Sequence, residues 1–149
     1  MGDEVTDMEK ETNQSDSFTL HHSDHPSSVL VSKPLDGNNY GQWSRAMRIA
    51  LSDKNKIDFI NGTVEKPKNN DGKFQIWERC NHMVLFWILN SVESDIAGSI
   101  IYTESATDIW NDLQERSSQR NDTRIFEIIQ KISELREGQQ SVPIYYTKI

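Results

Sequence analysis

Three histidines (His21, His22, His25), a single cysteine (Cys80) and a run of lysines between positions 54 and 73 are the residues that bear most directly on chemistry. Imidazoles at that spacing could grip a metal ion. A metal site also needs neighbours that orient its ligands, and this stretch offers none, so the histidines read as part of a solvated tail. Cys80 falls on an apolar helical stripe with no base or cation beside it in sequence, and reads as a small buried hydrophobe rather than a nucleophile. Lys54, Lys56, Lys66, Lys68 and Lys73 stand against Asp58, Glu65 and Asp71. With Arg45 and Arg48 they are candidate RNA contacts, since ammonium and guanidinium groups neutralise phosphates. So small an excess also describes an ordinary solvated loop. Four tryptophans (Trp43, Trp77, Trp87, Trp110) could stack on bases, but stacking requires an open basic surface. All four instead fall on helical apolar faces, which points to core use. No Gly-rich phosphate loop, H-E-x-x-H, G-x-S-x-G or D-[ST]-G motif is present. The chain therefore reads as no enzyme, with no catalytic residue, cofactor, metal or small-molecule substrate.

The charge is unevenly placed. Of the formal net charge of −7, most belongs to residues 1–28, where seven acids face one base, Lys10. That segment has few apolar residues and no periodicity, and reads as a disordered acidic tail. Its Met1-Gly2 start fits a loose acylation pattern, but Asp3 and Glu4 follow and no polybasic signal supports it. No apolar run is long enough to span a bilayer, and no signal peptide is recognisable. The lone cysteine excludes an internal disulfide and a zinc knuckle and fits a reducing compartment. Cytoplasm is the expected location.

Residues 29–149 read as an all-α domain, a compact bundle of five to six helices joined by polar loops. Asp36-Gly37-Asn38-Asn39 is turn chemistry. Asn39 with Gln42 is spaced as a capping box that opens a helix over 39–53, with Tyr40, Trp43, Ala46, Met47, Ala50 and Leu51 on one face. A central helix, apolar on most sides, is expected over 74–90. A short one over 94–102 carries Ile96, Ile100 and Ile101. Ser105 and Asp108 cap a fourth over 106–117, with Ile109, Trp110 and Leu113 inward. A loop at 117–121 separates it from a fifth over 122–137, which Gly138 ends. Ser141-Val142-Pro143 begins a last helix, with Tyr145, Tyr146 and Ile149 on its apolar face.

Leu35-x-Gly37-x-Asn39-Tyr40-x-x-Trp43 resembles the opening motif of the Gag polyprotein of copia-type LTR retrotransposons. Trp77 followed by Trp87-Ile-Leu-Asn-Ser91 is similar to a second Gag block, and Ala106-x-x-Ile109-Trp110-x-x-Leu113 to a third. The resemblance implies a capsid-like structural protein whose motif core is Leu35, Gly37, Asn39, Tyr40, Trp43, Trp77, Trp87, Trp110 and Leu113. It implies self-association into particles that enclose the element's RNA, with the chain itself and non-specific RNA as partners, and no membrane. In such Gag proteins the Ser141-Val142…Tyr145-Tyr146 block opens a longer region, so the chain reads as a C-terminally truncated fragment or degenerate copy. Two alternatives stay open: a domesticated helical adaptor for a protein partner, and a small RNA-binding module.

Overall fold

The Asp36–Asn39 turn sets the direction in which the first helix leaves. Gly37 takes φ 88°, a left-handed conformation that suits glycine, and the Asn38 N–H donates to the Asp36 carboxylate at 2.8 Å. In this computed structural model, residues 17–69 and 72–147 are described, with side chains as far as residue 138. Among them are five helices: α1 (Tyr40–Asp53), α2 (Asp58–Asn61), α3 (Lys73–Leu89), α4 (Ser94–Ile100) and α5 (Ala106–Thr147). The described residues hold no strand, only a single parallel bridge between Leu35 and Val92. The chain divides into two units, one through Leu113 and one from Gln114.

The first unit is built on apolar faces that the helical period brings together. From α1 come Trp43, Met47 and Leu51, from α2 Phe59 and Ile60, and from α4 Ile100; α5 supplies Ile109, Trp110 and Leu113. The centre is α3, which buries Trp77, Cys80, Val84, Leu85, Trp87 and Ile88, as its breadth of apolar residues predicts. Trp43, 2% exposed, stacks on Trp110 with ring centroids 5.6 Å apart. Its indole N–H donates to the Ser91 carbonyl at 2.7 Å just beyond α3. Burial of such a ring contributes about 1.5–3 kcal/mol, and the hydrogen bond fixes which way it lies. Gly62 ends α2 at φ 75°.

Asn81 is a polar residue on the apolar stripe, 2% exposed. Its amide donates to the Glu104 carbonyl at 2.8 Å, and its oxygen accepts the Ala106 N–H at 2.9 Å. One side chain thus fastens the turn between α4 and α5 onto α3. At the next position the expected Ser105 cap forms, its hydroxyl accepting the Asp108 N–H at 3.1 Å.

Four expectations are corrected. Asn39 makes no side-chain cap; its oxygen accepts the Asp36 N–H and its amide donates to the Pro34 carbonyl, so it staples the turn and is no longer available to the helix. Residues 17–28 are not a solvated tail: Phe18 and Leu20 pack against the core, and main-chain carbonyls along the segment are hydrogen-bonded by the body. Residues 1–16 of that expected tail lie outside the described residues. The helices expected over 106–117, 122–137 and beyond 141 are one 42-residue helix, α5. Its supposed loop at 117–121 has no Gly or Pro to break it, and the Ser118 and Thr123 hydroxyls donate to the carbonyls of Gln114 and Gln119 four residues back. Gly138 lies inside this helix at a cost of about 1 kcal/mol relative to alanine. Finally, α4 stops at Ile100, so Ile101 turns outward and is exposed. The side chains of Tyr145, Tyr146 and Ile149 lie outside the described residues.

Replacing Asn81 with leucine removes both hydrogen bonds and leaves the buried Ala106 N–H unpaired. Its expected cost is about 1–3 kcal/mol, read as a lower midpoint in urea unfolding with an unchanged slope.

Candidate functional site

Side chains able to do chemistry gather at two places in the first unit. The first lies under residues 17–26. Here Lys56 is fully buried and its ammonium donates to the Thr19 carbonyl at 2.6 Å. Burial pulls its pKa below the usual lysine value, while Cys80 and Asp24 act in the opposite direction. Burial pushes the Cys80 thiol up, so it stays protonated, and it donates to the Phe18 carbonyl at 3.5 Å. The Trp87 indole N–H donates to the His25 carbonyl, and the Asn90 amide to that of Pro26. The Ser17 hydroxyl donates to Asp58 at 3.0 Å. Every group here is occupied in holding the segment down. A protonated thiol beside a buried, hydrogen-bonded ammonium offers no activated nucleophile.

These positions revise the sequence reading of the lysines. Lys56 is not an RNA contact, because its charge is spent inside. Lys54 bridges to Asp24 at 3.0 Å and lies 5.7 Å from the Trp87 ring centroid. Lys66 lies over Phe74 and Trp77, and Arg48 over Trp110 at 5.7 Å. Arg45, Lys68 and Lys73 are on the exposed surface. Of the seven candidate cations, Lys56 is therefore withdrawn from the surface and Lys54 is engaged by an acid. His21, His22 and His25 do not become a metal site: among the described residues no three metal-ligating side chains come together. His21 instead uses its backbone N–H, which donates to Asp24.

The motif residues take structural places. Leu35 is buried, its N–H donating to the Ser91 carbonyl and its own carbonyl accepting the Glu93 N–H. Tyr40 packs on Trp43, and Trp77, Trp87, Trp110 and Leu113 are in the core.

The second place is a groove of about 1110 Å³ along α3, the α4–α5 turn and the start of α5. Phe74, Trp77, Leu85, Phe86, Ile101 and Tyr102 supply its apolar lining, and Glu78, Glu104, Asp108 and Lys66 its charged lining. Phe86 is 50% exposed and Tyr102 91%. The sequence reading placed Ile101 with Ile96 and Ile100 on a short helix and did not single out Tyr102. The run Ile100-Ile101-Tyr102 held the signal, since three consecutive apolar residues cannot all face one side of a helix. In the second unit, a shallower hollow of about 500 Å³ runs along α5 past Arg116, Arg120 and Arg124, with Glu127 beside them.

Burial acts to raise the Asp24 carboxyl, but the Lys54 ammonium and the His21 N–H hold it below its ordinary value. A depressed carboxyl stabilises the fold above its unfolded pKa, and that contribution is lost as pH falls through the folded pKa. The Asp24→Asn variant should therefore melt below the wild type at neutral pH, with the gap closing in acid below about pH 4.

Residues 21–68 match the family described as Gag-polypeptide of LTR copia-type. The match begins inside the segment that packs over Lys56 and ends before Trp77, so the second and third motif blocks rest on their own resemblance. No curated protein and no solved structure matches the chain. No helix among the described residues is long and apolar enough to cross a membrane. Over residues 21–68, about a third of its length, the chain is similar to the Gag-polypeptide of copia-type LTR elements.

Proposed function

We propose that the chain is a capsid-type structural Gag protein that self-associates in the cytoplasm around the element's RNA and performs no catalysis. The observation that carries this reading is the match over residues 21–68 to a family whose role is structural. The physical requirements for such work are rigid subunits and repeated weak contacts that add through multivalency. Helices packed on a tryptophan-rich core supply the rigidity. The exposed apolar residues of α5 and of the groove supply surface for contacts. RNA enters as the cargo of an assembly rather than as the ligand of a basic cleft, since Lys56 is buried and Lys54 is paired with Asp24.

A second reading, a helical adaptor for a protein partner, is favoured by the same groove, because exposed apolar surface of this kind marks interaction sites. Light scattering on the purified chain across concentration, with and without RNA, separates the two. A concentration-dependent ladder of oligomers or particles is expected. A strict monomer in both conditions would overturn self-association and leave the adaptor.

A further inference from the structure

We propose that the isoleucine face of α5 in one copy docks into the groove of the first unit in a second copy, a head-to-tail contact. This rests on the self-association proposed above and names the surfaces that carry it.

The donor face lies wholly in the second unit. Ile125, Ile128, Ile129, Ile132 and Leu135 recur at the spacing of one helical side, and each is 50–67% exposed. At 1.5 Å per residue the stripe is about 15 Å long. The helical period places Arg124 and Lys131, seven residues apart, along one edge of the stripe and Arg136 within it. Glu127 and Glu134, also seven apart, fall on the opposite side. Asp122 borders the other edge beside Ile129, so three bases stand against one acid along the face, and its balance is basic.

Charge decides what covers it. Ile125 and Ile132 occupy a positions of a heptad and Ile128 and Leu135 d positions, a pattern that would suit pairing with an identical helix. In a parallel pair, however, Lys131 meets Arg136 of the other copy, the g-to-e relation that sets partner choice. In an antiparallel pair centred on the stripe, where g faces g and e faces e, Lys131 meets Lys131 of the other copy while Arg136 meets Asp122. Both arrangements oppose like charges on at least one flank. The groove offers the complement: an apolar floor, with Glu78, Glu104 and Asp108 against the single ammonium of Lys66. An amphipathic helix laid in an apolar groove is a recurrent mode of recognition. Each copy carries both halves, so the contact is heterologous and propagates from one copy to the next.

The test uses two variants of the full chain, each checked for wild-type helicity and melting. Ile128→Asp/Ile132→Asp disables the face, and Glu78→Lys/Glu104→Lys reverses the groove. Each alone should lose association by roughly tenfold or more. Mixed, they should form a dimer that grows no further, because the intact groove of the first accepts the intact face of the second. Lys131→Glu should weaken assembly and regain it when paired with Glu78→Lys. Self-association of the groove variant alone would show that α5 pairs with α5 and overturn the proposal. Self-association of the face variant alone would overturn it in favour of groove-to-groove contact. A wild type that associates while no variant changes it would overturn these surfaces and leave self-association standing. A monomeric wild type would overturn both.

Discussion

The indole of Trp43 is the constraint on which the first unit depends. Its ring stacks on Trp110 of α5, its N–H reaches the Ser91 carbonyl after α3, and its backbone N–H closes the first turn of α1 on Asn39. A buried ring gives affinity without direction, whereas a buried N–H must find a partner and so adds direction. Ser91 and Leu35 then extend the same junction. The Ser91 hydroxyl donates to the Trp87 carbonyl, and the Leu35 N–H takes the Ser91 carbonyl as well. Three separate stretches of chain meet at a single carbonyl oxygen. The motif residues from Leu35 to Trp43 are thus the parts of a joint, which explains why none of them carries a reactive group.

Much of this was legible before any coordinates. The apolar periods of α1 and α3 and the Ser105 cap placed those helices to within a residue or two, because burial and capping are local signals. What was not legible depended on partners distant in sequence. Lys56 looks like a surface cation until the Thr19 carbonyl, 37 residues away, is brought to it. Asn81 looks like a blemish on an apolar stripe until the turn at Glu104–Ala106 needs both an acceptor and a donor. Residues 117–121 look like a loop because serine and asparagine favour turns, yet hydroxyl bonds to the preceding turn and the absence of a breaker let the helix run on. The individual roles of the cations followed the same logic, since a charge pattern in one dimension does not say which charges neutralise acids, which lie over rings and which reach water.

The groove and the α5 face share a physical origin. Both arise where apolar residues exceed what their own unit can cover: α4 ends at Ile100, just before Ile101, and α5 runs on past Leu113 through a polar stretch to a second apolar stripe from Ile125. Surfaces of this kind cost solubility, and the acids around one and the bases along the other keep each of them wet.

The body holds residues 17–26 largely by their main chain: Lys56, Cys80, Trp87 and Asn90 all donate to carbonyl oxygens rather than to side chains. Every residue type has a carbonyl. Such a grip specifies where the segment runs while leaving its composition largely open, so substitutions at Thr19, His25 or Pro26 can accumulate without releasing it. The recognising positions carry the opposite burden, since each must keep a donor of fixed reach. Between copies that have drifted apart, the information that fixes this edge of the fold would be found in the lysine, the indole and the amide, and scarcely at all in the segment they hold.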